Sequence, residues 1–144
     1  ARVPGTDGEK MSKSYNNTIE IFEDPKSVRK KVMRIVTDSR PMEEPKIPET
    51  DHLFQLYSLF VDDPQREAMA ALYQAGGFGY GQVKKALADA AEGYFAEARA
   101  KRLELAAHPE MVREILGDGA QRARARARQT LQRAQVACGV RAKS

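Results

Sequence analysis

The sequence predicts a mainly α-helical fold, a bundle of helices preceded by a loop-rich segment of different character, and three observations predict it. From residue 51 onward apolar side chains recur at helical spacing almost without interruption. Asp-Pro pairs that start helices stand at Asp24-Pro25 and Asp63-Pro64. In each, the aspartate accepts from the first free amides and the proline sits where no donor is needed. By contrast, Pro4, Gly5, Gly8, Asn16 and Asn17 break any period in residues 1–18, which read as loop. No internal repeat and no convincing β-hairpin is present.

Taken in order, the first helix starts at Asp24-Pro25 and buries a stripe of Val28, Val32, Ile35 and Val36, with Lys26, Arg29, Lys30, Lys31 and Arg34 turned away. Residues 37–50 carry Pro41, Pro45 and Pro48 and form an irregular connector. Leu53, Leu56, Tyr57 and Phe60 then follow i, i+3, i+4, i+7 spacing. The helix opened by Asp63-Pro64 contains Met69, Leu72 and Tyr73 and stops at Gly76-Gly77. After the turn Gly76-Gly77-Phe78-Gly79-Tyr80-Gly81, one long helix is expected over residues 82–107, with the stripe Val83, Leu87, Ala90, Ala91, Tyr94, Ala98 and Leu105. Pro109 starts a short helix with Met111, Val112 and Ile115, halted by Gly117-Asp118-Gly119. The last helix, over residues 119–138, sets Ala120, Ala123, Ala127, Leu131, Ala134 and Cys138 in one narrow seam. Arg122, Arg126 and Arg133 lie opposite that seam, and Arg124 and Arg128 flank it.

Composition sets broad limits. Hydrophobic residues make up 42% and charged residues 31% of 144, an ordinary globular balance. No apolar run approaches the ~20 residues that span a bilayer, so no membrane partner is expected. The single cysteine, Cys138, cannot form an internal disulfide and fits a reducing, cytoplasmic compartment. Lys plus Arg exceed Asp plus Glu by 24 to 20, which permits a polyanionic partner without demanding one. The opening residues look like the edge of a larger domain lying N-terminal to Ala1, because a short extended piece alone has no partner for its backbone.

The chemistry concentrates in Lys10-Met11-Ser12-Lys13-Ser14, preceded by Pro4-Gly5-Thr6-Asp7-Gly8-Glu9. Two lysines three apart, interleaved with hydroxyls in a glycine-flanked loop, make a movable phosphate clamp. Each ammonium is a compact charge on a flexible stem, suited to charge that builds up on a leaving pyrophosphate. Loop amides and the Ser12 and Ser14 hydroxyls can add donors, while Gly5 and Gly8 allow the loop to open and close. Charge and hydroxyls alone leave open the plainer alternative of an exposed loop with solvated lysines.

The order of residues goes further. Lys-Met-Ser-Lys-Ser is the signature pentapeptide of class I aminoacyl-tRNA synthetases, and here it stands without departure. Its flanks, Pro4-Gly5-Thr6-Asp7-Gly8 and Tyr15-Asn16-Asn17-Thr18-Ile19, resemble tryptophanyl-tRNA synthetases. So do Val36-Thr37-Asp38-Ser39 and the block from Gly79-Tyr80-Gly81-Gln82 through Val83-Lys84-Lys85-Ala86-Leu87. The resemblance runs from Val3 to about Gly139. It implies that residues 1–20 are the end of a Rossmann-like α/β nucleotide-binding domain, otherwise absent here, whose remainder bears the amino-acid pocket. Residues 21–50 would be a connecting helix and linker, and residues 51–144 a helical tRNA anticodon-binding domain. It further implies activation of tryptophan by Mg-ATP to tryptophanyl-adenylate and transfer to tRNA(Trp), with the enzyme a cytoplasmic homodimer joined mainly through the absent domain. By motif position, Lys10 and Lys13 would stabilise the pyrophosphate-bearing transition state. Lys10, Met11, Ser12, Lys13 and Ser14 would contact ATP, and Val3 would offer a main-chain contact to adenine. Lys84, Lys85, Arg122, Arg126 and Arg133 are candidates for tRNA phosphates, or else ordinary solvated faces. Tyr57, Tyr73 and Tyr94, each on an apolar stripe, are expected in the core rather than as base platforms.

By itself the chain is expected to be catalytically incomplete. A tyrosyl-tRNA synthetase, or a non-catalytic RNA-binding or interaction module derived from a synthetase, are the alternatives. His52 and His108 lack partners at metal-ligand spacing, so no metal ligand is named; magnesium is expected only with ATP. Cys138 has no base beside it and reads as a seam residue.

Overall fold

A computed structural model describes residues 3–140 of the chain. It contains six α-helices among the described residues: α1 Pro25–Met33, α2 His52–Tyr57, α3 Asp63–Ala75, α4 Tyr80–Tyr94, α5 Ala96–Ala107 and α6 Pro109–Ala137. Single-turn 3-10 helices stand at Lys13–Tyr15 and Pro48–Thr50. The described residues hold no β-strand, only an isolated antiparallel bridge between Pro4 and Lys10. The mainly α expectation therefore holds. No helix among them is long and apolar enough to cross a membrane.

The chain divides into two units, the first ending at Ala100 and the second starting at Lys101. In the first unit, α4 packs against both α1 and α2. Val28, Val32 and Ile35 meet Val83, Leu87 and Ala88 of α4, while Leu53, Leu56 and Tyr57 close the core from α2. Aromatics stack on the far side: Phe54 meets Tyr73 edge-on with centroids 5.4 Å apart, and Tyr73 lies 4.9 Å from Phe78. These spacings suit the quadrupoles of the rings. Tyr57 and Tyr73 are buried, as their stripes suggested.

Local signals fixed several boundaries. Asp24 caps α1, its side chain accepting from the amides of Lys26 and Ser27. At the second Asp-Pro pair the cap lies one residue earlier than expected. Asp62 accepts from Gln65 N while the Gln65 side chain accepts from Asp62 N, a reciprocal box that Asp63 could not make.

Four expectations fail. The helix expected over residues 82–107 is interrupted at Phe95, whose amide turns to Ala91 O and Gly93 O. Phe95 instead packs edge-on against Phe60 and Tyr94. Tyr94, the last residue of α4, is 64% exposed rather than core. Val36 is 60% exposed, because α1 ends at Met33 and its stripe does not continue beyond Ile35. Finally, Gly117 and Gly119 do not stop a helix; α6 runs through both for 29 residues. Gly costs only about 1 kcal/mol against Ala in a helix interior, and strong helix formers on both sides outweigh it.

A buried lysine ties the connector to the turn before α4. Lys46 is 3% exposed, and its ammonium lies 3.0 Å from Glu44 O, 3.2 Å from Pro41 O and 3.4 Å from both Met42 O and Phe78 O. It also sits 4.4 Å from the centre of the Phe78 ring. Four carbonyl dipoles and an aromatic face replace water around this charge. Gly76 answers it across the gap: with φ +71°, a Cβ there would come 2.6 Å from Glu43 O.

The second unit contains α6, whose residues 121–134 are all exposed. The seam of Ala123, Ala127 and Leu131 is among them.

Candidate functional site

The lysine loop is built by short-range bonds that double the chain back on itself. Met11 N donates to Val3 O at 2.8 Å and Gly5 N to Glu9 O at 2.6 Å, on either side of the Pro4–Lys10 bridge. Gly8, at φ +85°, closes the tip, with its amide on Gly5 O at 3.1 Å. A side chain would be strained in that left-handed conformation, and its Cβ would lie 3.2 Å from the His52 ring. Ser12 then caps the 3-10 turn that carries Lys13, its hydroxyl accepting from Ser14 N at 3.3 Å. Asn16, at φ +52°, ends the turn, a conformation asparagine tolerates.

Asn17 is the residue that sequence reasoning passed over. It is 2% exposed, although Asp7, Glu9, Lys10, Lys13 and Ser14 around it are exposed. Its Oδ1 accepts from Ser12 N at 2.8 Å, and its Nδ2 donates to Asp7 Oδ1 at 2.8 Å and to Lys10 O at 3.1 Å. The Asn17 amide, with that of Glu9, holds the Asp7 carboxyl below its ordinary 3.8. A glycine at position 5 is what makes room, since a Cβ there would overlap Asn17 Nδ2 and Cγ. Contacts beyond the loop tie it to the rest of the first unit. Val36 N donates to Thr6 O at 2.9 Å, and His52 at the start of α2 lies against Gly8.

Within this frame the candidate ATP residues separate by direction. Lys10, Lys13 and Ser14 are exposed and Ser12 half-buried. Among the described residues neither lysine ammonium forms an ion pair. Met11 and Val3 instead pack against the core, and the Val3 carbonyl is taken by Met11 N. The loop thus faces two lysines outward while a methionine between them anchors it inward.

The candidate tRNA residues do not behave alike. Lys84 donates to Met33 O at 3.3 Å, and partial burial lowers its pKa. Lys85, one residue on, is exposed. In the second unit Arg122 pairs with Asp118 at 3.1 Å across one helical turn. Arg126 and Arg133 line a shallow groove along α6 with Gln129, Thr130 and Gln132. No group of three or more His, Cys, Asp or Glu among the described residues could hold a metal ion. His108 sits at the N-cap of α6 and its Nδ1 meets Glu110, while Cys138 is exposed at the other end.

Against known proteins, the model of the class I tRNA synthetases for tryptophan and tyrosine matches residues 2–96, about two thirds of the chain. The chain belongs to that family. Among its relatives, the tryptophan–tRNA ligase of Rhodopirellula baltica is 60% identical over 141 residues, covering 98% of this chain and 44% of the relative. The tryptophan–tRNA ligase of Fusobacterium nucleatum is 42% identical over 140 residues, 97% of this chain and 43% of its own length. A crystal structure of the Campylobacter jejuni tryptophanyl-tRNA synthetase, complexed with ADP and tryptophan, superposes with a TM-score of 0.87 at 42% identity. That match covers 96% of this chain and 44% of the other. Within the family the similarity thus points to tryptophan and not to tyrosine. The chain spans less than half the length of the synthetases it matches.

Proposed function

We propose that the chain supplies the ATP loop and the tRNA-binding helices of a tryptophan–tRNA ligase. The observation that supports this most is the intact Lys10-Met11-Ser12-Lys13-Ser14, with both lysines exposed and neither ammonium in an ion pair among the described residues. The tryptophan carboxylate oxygen attacks the α-phosphorus of ATP. The bond from that phosphorus to the bridging oxygen breaks, and pyrophosphate leaves with the negative charge. Lys10 and Lys13 meet that charge as it develops, and the Ser12 and Ser14 hydroxyls and loop amides add donors. Val3 contributes main-chain contact near adenine. The work is positioning and charge stabilisation rather than covalent catalysis. Magnesium comes on the ATP phosphates; among the described residues no group of three or more His, Cys, Asp or Glu could hold a metal ion.

The relatives are more than twice as long, and the tryptophan pocket is assigned to polypeptide beyond these residues, in a Rossmann-like domain that residues 1–20 complete. Residues 21–50 connect it to the helical part, residues 51–144. There, Lys85, Arg126 and Arg133 are the candidates best placed to neutralise tRNA phosphates. Lys84 and Arg122 contribute less, because each already has a partner. The working enzyme is a cytoplasmic homodimer.

Amino-acid-dependent ATP–pyrophosphate exchange by the native full-length protein, followed by charging of tRNA(Trp), tests this reading. Exchange with tryptophan and not with tyrosine supports it. Exchange with tyrosine, or tRNA binding without any exchange, would move the protein to one of the alternatives. The 16.0 kDa chain alone is expected to bind RNA weakly and to catalyse nothing.

A further inference from the structure

We propose that Asn17 is the positioning residue of the lysine loop, holding Lys10 and Lys13 in one fixed relation through its buried carboxamide; this rests on the reading that the loop acts on ATP. A side chain buried to 98% in a loop whose charged residues are exposed is there for its bonds, and Asn17 uses all of its amide's polar atoms. The three groups it joins lie on both arms of the turn. Asp7 precedes the lysines, the Lys10 carbonyl belongs to the first of them, and the Ser12 amide starts the turn that carries the second. Ser12 in turn caps that turn with its hydroxyl. One side chain therefore sets the backbone at Lys10 and, through Ser12, at Lys13.

The chemistry of the tip is specific. Two donors and an acceptor must sit at the end of a two-carbon side chain, which only asparagine supplies. Aspartate at this position would place a carboxylate against the Asp7 carboxylate and against the Lys10 carbonyl. Alanine would leave the Ser12 amide and the Lys10 carbonyl without partners. Either change lets the two ammonium groups drift relative to each other, while residues outside the loop keep their places.

The prediction separates positioning from folding. Asn17→Ala and Asn17→Asp in the native full-length protein should each lower kcat for tryptophan-dependent pyrophosphate exchange by about 10–100-fold, the scale of an ångström-level misplacement. Tryptophan binding, measured at equilibrium without ATP, should change less than about 2-fold, because the loop does not form the amino-acid pocket. Adding Asp7→Asn to Asn17→Asp restores a donor facing an acceptor and should recover at least about 5-fold of the loss, a coupling expected only of groups in contact. Equal loss of exchange and tryptophan binding would make Asn17 a folding residue and overturn the proposal. So would exchange within about 2-fold of wild type in both single variants. If Asn17→Ala does not fold, the charge-exchange pair decides alone, and absence of recovery counts against positioning. A wild-type protein with no amino-acid-dependent exchange would instead overturn the reading of the loop, and this proposal with it.

Discussion

Lys46→Met is the perturbation that probes the helical unit most sharply, because it keeps the length of a buried side chain and removes only its charge. Four carbonyls lie within 3.4 Å of the ammonium, and it has three hydrogens, so the bonds at 3.0 and 3.2 Å carry most of the interaction. After the change Met42 O still accepts from Gly77 N and Phe78 N, and Pro41 O from Glu44 N. Glu44 O and Phe78 O lose the Lys46 ammonium as donor. At about 1–3 kcal/mol per stranded buried carbonyl, and with Glu44 on an exposed stretch, the cost is about 2–4 kcal/mol. Loss of the contact to Phe78 adds up to ~1 kcal/mol, and relief of the ammonium's own desolvation offsets a similar amount. A cost near 3 kcal/mol lowers Tm by about 6–12 °C for a chain of this size. Urea unfolding of wild type and Lys46→Met, followed by far-UV circular dichroism, measures it. A change below about 0.5 kcal/mol would refute the staple, and would mean the connector is held by its prolines and by Lys46 N on Tyr73 O.

Other expectations follow from the loop and from α6. Gly5→Ala forces Asn17 out of its site and should cost about 1–3 kcal/mol, whereas Gly8→Ala should cost about 1–2 kcal/mol, chiefly through its left-handed backbone, with the His52 ring shifting to admit the new Cβ; thermal unfolding of each variant checks the order. The Asp7 carboxyl is held below its ordinary 3.8, chiefly by Asn17, so its hold on the loop is fully present above that value and is lost as pH falls through the lowered one. Amide exchange at Ser12 should accordingly be flat over about pH 5–8 after intrinsic-rate correction, with extra opening only in stronger acid that Asp7→Asn removes. Replacing both Arg126 and Arg133 by alanine should flatten the slope of log K against log salt for tRNA by about 1.5, and Arg122→Ala by clearly less, since Asp118 already shares its charge. An unchanged slope in a filter-binding titration would leave these arginines as solvated surface.

What the sequence made legible was local or periodic. Asp24-Pro25 could be read outright, since a cap needs only the next three residues. Val28, Val32, Leu53, Leu56, Tyr73, Val83 and Leu87 could be read from spacing, and all are buried. The loop could be read because its five residues are in unbroken order. The misses depended on tertiary competition. Nothing near Phe95 except Gly93 marks a break, and the ring's packing on Phe60 decides it. Gly117 and Gly119 look like punctuation, but nothing around them prefers another conformation. Asn17 and Lys46 are polar residues in irregular segments, so neither period nor hydropathy could place them inside. Only a Gly5 that leaves room, and carbonyls converging from residues 41–44 and 78, explain their burial.

The most direct test of the central claim is the single-turnover rate of tryptophanyl-adenylate formation by the native full-length protein carrying Lys13→Ala, set beside its affinity for tryptophan. An exposed ammonium that meets the leaving pyrophosphate predicts a rate lowered by about 100-fold or more with tryptophan affinity within about 2-fold of wild type. A rate within a few-fold of wild type, or equal loss of rate and affinity, would contradict the assignment of this loop to the pyrophosphate.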